Sequence, residues 1–391
     1  MKLNAIRVTR RSRDDAAAKK DGPAATSFPA GAALDHVDKV DDMIQAEVGS
    51  YDRYLAFALS AASSWAYSDA DTMAKVMHLR AGIPWNETVA LTESNPALLT
   101  ETTAYLVQSE DRRLCILCFR GTGPLNIINW LSNGSSRVTP FLSAGRVHGG
   151  FLRSAMAMAT TLGILLDSAR KGGSICEAAA REKAMWADCA REHPRRSEED
   201  RHRAGATPDT PRWVARPPRR DGPDVLEALY LTGHSLGGAL AVITAALILE
   251  APWLARFRSK LRGVYTYGQP LIGLQDFKDR FERDLGTMLF RHVYRNDVVP
   301  SLPARTMGRF VHFGSLYTSE GGEWMPGRAA TRQGLTLLGT VGRAILAGAQ
   351  QEMLVDLPIL DRIPLRFSIA DHAPLNYLRA SQEVAAATEF V

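Results

Sequence analysis

The stretch Leu231–Leu240 constrains this chain more than any other segment. It contains Gly233-x-Ser235-x-Gly237, placed between a short apolar run and a long one. This pattern predicts a strand, a tight turn that carries a serine, and a buried helix, which together form a nucleophile elbow. The two glycines suit the turn because they have no Cβ to clash where the strand and the helix pack closely. A glycine-rich turn without chemistry is the alternative interpretation.

Strand-like and helical segments alternate along the chain, which predicts an α/β fold with a mostly parallel central sheet and helices on both faces. The pattern predicts strands at Thr102–Gln108, Leu114–Phe119, Ala228–Thr232, Arg262–Gly268 and Leu289–Tyr294, and helices within Tyr51–Met77 and at Phe151–Asp167, Ala239–Leu249 and Gln275–Leu285. In such sheets the working loops follow the carboxyl ends of the strands.

The composition, 46% hydrophobic and 23% charged over 391 residues, is that of an ordinary globular protein. We expect residues 1–35 to be disordered, because they are rich in Ala, Pro and charge. We expect 36–391 to form a single domain with a charged insertion at 170–223 and an apolar insertion at 325–362. The charged insertion suits a mobile solvated loop or a basic binding arm. The apolar insertion suits a buried helix or a segment that lies in a lipid interface.

The net charge of +5 is mild and does not favour a nucleic-acid partner, although a positive face toward anionic lipid stays open. The basic N-terminus lacks a continuous apolar run behind it, so no signal peptide is expected. No stretch of about 18 uncharged apolar residues occurs, so we expect no transmembrane segment. These features predict a cytoplasmic protein, with peripheral membrane contact as an open alternative.

Cys115-x-x-Cys118 has the spacing of a metal or redox pair, but it lies in a predicted buried strand. Residues three apart on a strand point to opposite faces, and buried thiols behave as small hydrophobic side chains. We therefore expect no metal, no cofactor and no disulfide framework.

A serine nucleophile needs a histidine as base and a carboxylate to orient that histidine, in the chain order Ser, acid, His for this type of elbow. Asp297 follows a predicted strand and is the preferred acid. Its rivals lie on a helical pattern and are interpreted as solvated charges: Asp276, Asp279 and Asp284.

Only His312 and His372 lie beyond Asp297. His372 occupies a loop and is the preferred base, whereas His312 lies in a strand-like alternation typical of a structural residue. His234, next to the serine, is expected to face away from Oγ and to anchor the elbow.

An oxyanion hole requires two N–H groups aimed at the developing charge. Leu236, directly after the serine, is expected to supply one. Thr122, in the glycine-containing loop after strand Leu114–Phe119, is expected to supply the other, together with its hydroxyl. A plain glycine turn is the alternative for this loop.

Several motifs in order resemble the class 3 lipase family, the α/β-hydrolases of fungal and plant lipase type. They are Phe119–Thr122, Val147–Phe151, Gly233–Ala241, Thr266–Pro270, Arg295–Pro300 and Asp371-His372. The resemblance covers roughly Tyr51 to Arg379. It implies Ser235, Asp297 and His372 as a catalytic triad, Thr122 and Leu236 as oxyanion donors, and hydrolysis of carboxylic esters of lipids through an acyl-enzyme.

The chain departs from the family pattern at Leu271, where the family usually carries Arg. In the family a lid lies between the first two motifs, and Pro124–Arg146 fills that position here. The apolar face of this segment suits a flap that opens onto lipid, or a helix that is packed permanently on the body of the protein. The residues that form this apolar face are Leu125, Ile127, Ile128, Trp130 and Leu131.

The sequence thus predicts a serine esterase whose partner is a lipid or ester substrate, with transient contact to a lipid interface. Triacylglycerol lipase, phospholipase A and short-chain esterase remain alternatives within that class. A non-catalytic lipid-binding protein on the same fold is the alternative from another class.

Overall fold

The computed structural model describes residues 4–10, 38–95, 100–122, 137–142, 145–192, 224–303, 308–327, 368 and 370–382. The strands in these ranges are β1 Asn4–Arg10, β2 Glu87–Asn95, β3 Thr100–Gln108, β4 Leu114–Phe119, β5 Val138–Pro140, β6 Arg146–His148, β7 Ala228–His234, β8 Leu261–Tyr267, β9 Leu289–Tyr294, β10 Ser315–Ser319 and β11 Met325–Pro326. The helices are α1 Val40–Gln45, α2 Arg53–Trp65, α3 Ala70–Leu79, α4 Gly149–Arg170, α5 Ile175–Glu192, α6 Leu236–Glu250, α7 Gln275–Phe281 and α8 Pro374–Ser381.

Nine strands form one sheet in the order β1-β2-β3-β4-β7-β8-β9-β10-β11, and β5 pairs with β6 separately. The central run from β4 to β10 is parallel, whereas β1 to β4 and the β10–β11 pair are antiparallel. The predicted α/β class with a mostly parallel central sheet is confirmed. Because parallel strands share one carboxyl edge, the loops after β4, β7, β8 and β9 meet there.

Helices cover both faces of the sheet. Strand β4 shows the two faces: Cys115, Leu117 and Phe119 pack toward α4, α5 and α6, whereas the alternate residues pack toward α1, α2, α3 and α8. Cys115 and Cys118 are buried on opposite faces, as the strand pattern predicts, and burial raises the pKa of both thiols.

Helix α6 lies between the sheet and α4, so it is apolar all round and almost every residue is buried. Helix α4 is the one described helix long and apolar enough to cross a membrane by length and composition. It packs against α6 and α5, and 61% of its most apolar window is buried within the fold.

Two predictions about insertions and termini need correction. Disorder over 1–35 is wrong for Asn4–Arg10, which pairs antiparallel with β2 and thereby satisfies the backbone groups along that strand. A mobile loop over 170–223 is wrong for Ile175–Glu192, which forms helix α5. Ile175, Ala178 and Ala179 are buried there against the body of the protein, so this part of the insertion belongs to the core.

Other predictions fall on segments outside the described residues. These are the apolar face of the Pro124–Arg146 flap, the charged half of the insertion at 170–223, and most of the apolar insertion at 325–362.

Candidate active site

Ser235 stands between β7 and α6 with φ 59° and ψ −129°, a conformation that few non-glycine residues adopt. The glycines on either side are required by close contacts. A Cβ on Gly233 would lie 2.3 Å from the carbonyl carbon of Gly237, and a Cβ on Gly237 would lie 2.1 Å from the carbonyl oxygen of Phe119. The predicted nucleophile elbow is therefore formed by strand β7, Ser235 and helix α6.

The Ser235 side chain is fully buried at the carboxyl edge of the sheet. Its N–H donates to the carbonyl of Tyr267 at 2.8 Å, which ties the elbow to the end of β8. Its Oγ has no hydrogen-bond partner among the described residues. A buried hydroxyl without a partner is costly, and its place at a helix N-terminus suits an incoming polar group.

Asp297 lies in the turn after β9 and is buried. Three donors converge on its carboxylate. The N–H of Val299 donates to Oδ1 at 2.9 Å, and the hydroxyl of Tyr377 donates to Oδ2 at 2.5 Å. The third donor is His372, whose Nδ1 lies 2.7 Å from Oδ2.

His372 ends a short 3-10 helix just before α8 and is fully buried. Because Nδ1 donates to the carboxylate of Asp297, Nε2 is the nitrogen that can accept a proton. That Nε2 has no hydrogen-bond partner in the part of the chain that the structure describes. The imidazole is thus oriented by Asp297 and has its other nitrogen open.

Gly268 lets Asp297 and His372 lie close to the end of β8, where the backbone of Ser235 is bound. It follows β8 with φ +60°, one residue after the carbonyl that binds Ser235 N–H. A Cβ on Gly268 would lie 2.8 Å from both Asp297 Oδ2 and His372 Nδ1. Ser235 Oγ and His372 Nε2 do not yet bond to each other, which is common in unliganded sites.

His234 anchors the elbow, as the sequence predicts. Its Nε2 lies 2.8 Å from the carbonyl oxygen of His372, and its Nδ1 lies 2.9 Å from the hydroxyl of Tyr67. Burial lowers its pKa well below the ordinary value, and the neighbouring His372 acts in the same direction. His234 is therefore a neutral residue that holds the histidine loop against the elbow.

The loop after β4 packs directly on the elbow. A Cβ on Gly121 would lie 2.5 Å from the carbonyl oxygen of His234 and 3.1 Å from the Cβ of Ser235. Thr122 follows, and its buried Oγ1 has no hydrogen-bond partner among the described residues. Leu236 is the first residue of α6, where helical N–H groups lack partners within the helix.

The rival acids and the rival histidine of the sequence analysis lie outside the site. Asp276 bonds Arg146 and Asp284 bonds Arg280, at exposed positions. Among the described residues, His312 forms no hydrogen bond to the site; its Nε2 donates to the carbonyl of Pro300 at 2.8 Å. Burial, with the charge of Arg291, lowers the pKa of His312 to about 3.

Three contributors were not identified from the sequence. Tyr377 and Tyr67 act through contacts with residues far away in the chain, so no local pattern marks them. Gly268 carried a signal, since a glycine directly after a strand of a parallel sheet indicates a close approach of other groups.

A mostly parallel sheet with helices on both faces, a serine elbow and a carboxylate-bound histidine at the carboxyl edge are the features of the α/β-hydrolase fold. Residues 223–307 match the family model described as Lipase (class 3). The matched segment is about a fifth of the chain and includes Ser235 and Asp297.

Relatives carry lipase and phospholipase names. Triacylglycerol lipase OBL1 of Ricinus communis is 31% identical over 234 residues, which cover 55% of this chain and 40% of the relative. The chloroplastic phospholipase A1-Igamma1 of Arabidopsis thaliana is 41% identical over 78 residues, which cover 19% of this chain and 15% of the relative. The chain thus spans less than half the length of either relative.

Among solved structures, the lipase from Rhizopus microsporus var. chinensis is 18% identical, with a TM-score of 0.45. The alignment covers 89% of this chain and 96% of that one.

Proposed function

We propose that this protein is a serine hydrolase that cleaves carboxylic ester bonds of lipids through an acyl-enzyme. The observation that carries the proposal is the buried 2.7 Å hydrogen bond between Asp297 and His372, held beside a strained serine whose Oγ has no partner among the described residues. Nucleophile, base and orienting acid are the groups that acyl transfer requires.

In the proposed first step, Ser235 Oγ attacks the ester carbonyl carbon while its proton passes to His372 Nε2. The negative charge on the carbonyl oxygen is held by the N–H groups of Leu236 and Thr122, with the Thr122 hydroxyl. The carbon–oxygen bond to the alcohol then breaks, and the proton on Nε2 passes to the leaving alkoxide. The carboxylate of Asp297 stabilises the imidazolium that forms.

In the second step a water molecule gives a proton to His372 Nε2 and attacks the acyl carbon. The bond to Ser235 Oγ breaks, the proton returns to that oxygen, and a fatty acid leaves. This sequence consumes one water for each ester bond and needs no cofactor.

The proposed substrate is a triacylglycerol or related acylglycerol, reached through transient contact with a lipid interface. The name of the Ricinus communis relative supports the first choice. Phospholipase A is the second candidate, because the phospholipase A1 relative from Arabidopsis thaliana has the higher local identity. A short-chain esterase activity is the third candidate within this reaction class.

The test compares wild type with Ser235→Ala on triacylglycerol, phospholipid and short p-nitrophenyl esters of matched acyl chains. We expect kcat to fall by about 10⁴-fold or more on the preferred ester, since loss of a nucleophile removes the covalent route. Ser60→Ala is the matched control, because Ser60 is also buried with an Oγ that bonds no described residue but lies on helix α2.

Full activity in Ser235→Ala would overturn the mechanism. Failure of the wild type to hydrolyse any of the three esters, with no labelling by a fluorophosphonate, would instead favour a non-catalytic lipid-binding protein.

A further inference from the structure

The His234 ring lies between two partners that belong to distant parts of the chain. Tyr67, in the turn after helix α2, lies on one side, and the backbone of His372 lies on the other. The rings of His234 and His372 are 4.4 Å apart between centroids. His234 therefore connects Tyr67 to the residue that carries the open imidazole nitrogen.

The two hydrogen bonds define which tautomer His234 adopts. A carbonyl oxygen only accepts, so the bond to His372 requires a proton on Nε2 of His234. The ring is neutral because burial lowers its pKa, so Nδ1 carries a lone pair and accepts from the Tyr67 hydroxyl. Without that hydroxyl, the proton can move to Nδ1, and a lone pair would then face the His372 carbonyl.

Tyr67 also touches the loop that holds Thr122. A Cβ on Gly121 would lie 2.4 Å from the Tyr67 hydroxyl oxygen, so this oxygen lies against the backbone of Gly121. One hydroxyl thus contacts the elbow residue His234 and the loop after β4. Tyr67 as a whole residue is 38% exposed, and Tyr67→Phe removes the hydroxyl alone.

We propose that Tyr67 and His234 are positioning residues that hold the His372 backbone, and through it the imidazole, in register with Ser235 and with the Gly121–Thr122 loop. The proposal rests on the proposed function, since it assigns these residues a part in the same reaction. Neither residue touches the substrate in this scheme. A role in packing alone is the competing explanation.

The experiment measures the second-order rate at which a fluorophosphonate labels Ser235, because labelling needs proton removal from Ser235 but no lipid binding. We expect Tyr67→Phe to label about ten- to a hundredfold more slowly than wild type, since a small misplacement of a catalytic base costs this much. KM for a p-nitrophenyl ester should stay near the wild-type value while kcat falls.

Tyr105→Phe is the matched control. Its hydroxyl donates to the carbonyl of Ser68 at 2.5 Å, in the turn that holds Tyr67, so its loss disturbs the same turn but removes neither of the two His234 hydrogen bonds. This variant should lose thermal stability like Tyr67→Phe and keep the wild-type labelling rate. Equal labelling by wild type and both Tyr variants would overturn the proposal.

Substitution of His234 gives an independent readout if Tyr67→Phe fails to fold. Glutamine can donate to the His372 carbonyl and accept from the Tyr67 hydroxyl, whereas leucine fills the space without either bond. His234→Gln should label faster than His234→Leu. The opposite order would show that His234 acts through packing alone.

The same data separate the two proposals. If neither wild type nor Ser235→Ala is labelled by the fluorophosphonate, the proposed function fails. If wild type is labelled, Ser235→Ala is not, and Tyr67→Phe equals wild type, only the positioning role fails.

Discussion

Ser235 holds a backbone conformation that costs about 1–3 kcal/mol for a residue other than glycine. The surrounding residues compensate for this strain. The Ser235 N–H bonds the end of β8, and the glycines at 233 and 237 let β7, α6 and the loop after β4 approach within van der Waals contact. The position of the buried Ser235 hydroxyl is thus a property of the whole turn.

Gly268 gives the first prediction. Gly268→Ala would place a Cβ 2.8 Å from Asp297 Oδ2 and His372 Nδ1, in a left-handed conformation that disfavours alanine. We expect the carboxylate and the imidazole to separate and kcat to fall about 100-fold, measured on a p-nitrophenyl ester. Gly322→Ala is the control, since its Cβ would meet nothing within 4 Å. A Gly268→Ala variant with wild-type kcat would contradict the assignment of Asp297 and His372.

Helix α5 begins on a cluster of charged and polar side chains. Glu87, buried on β2, accepts from Ser174 at 2.6 Å and from the N–H of Cys176 at 3.3 Å, and pairs with Arg112 at 2.8 Å. Gln108, opposite Glu87 across the β2–β3 pair, accepts from the N–H of Ile175. These bonds satisfy the first N–H groups of α5 and fasten the start of the 170–223 insertion to the sheet.

The pKa of Glu87 gives the second prediction. Burial raises this pKa, but the bonds from Arg112 and Ser174 and the charge of Arg112 outweigh it, so the net direction is downward. A lowered folded-state pKa means that the carboxylate stabilises the fold above its unfolded pKa, about 4.3, and that this stability is lost as pH falls through the folded value.

We therefore expect Glu87→Gln to lower the free energy of unfolding at pH 7 by about 1–3 kcal/mol, and the difference from wild type to shrink below about pH 4. Urea unfolding at both pH values measures this. Glu227→Gln is the control, because Glu227 pairs with Arg113 at the surface and such pairs contribute about 0–1 kcal/mol. A pH-independent effect of Glu87→Gln would contradict the assignment.

The central strands and helices could be predicted from the sequence because their apolar patterns are local. The edge strands β1 and β11 and their neighbours β2 and β10 were not predicted, since strands at the margins of a sheet mix polar and apolar residues and gain order by pairing. Of the site, Ser235, Asp297 and His372 carry local motifs. Tyr377 and Tyr67 do not, because they act through single hydroxyl groups brought from other elements.

In the whole molecule, helices cover both faces of the sheet, so each face has its own hydrophobic core. Neighbouring residues of β4 therefore belong to different cores. Ile116 packs with α1, α2 and α3, and Leu117 packs with α4 and α6; both are fully buried. Ile116→Ala and Leu117→Ala should each lower the free energy of unfolding by about 2–5 kcal/mol.

Denaturant unfolding of both variants checks this prediction, with Leu79→Ala as the control, because Leu79 is 47% exposed. A cost near zero for either buried residue would mean that one face of the sheet is not covered in solution.

The contacts that hold His372 at the elbow span 138 residues to His234, and a further 167 residues separate His234 from Tyr67. Contacts this remote in sequence close late during folding, because the chain must first lose the entropy of long loops. A chain still being synthesised on the ribosome therefore carries its serine without its base until helix α8 has emerged. The proposed chemistry therefore requires the docking of His372 at the elbow, a contact between remote parts of the chain that forms late in folding.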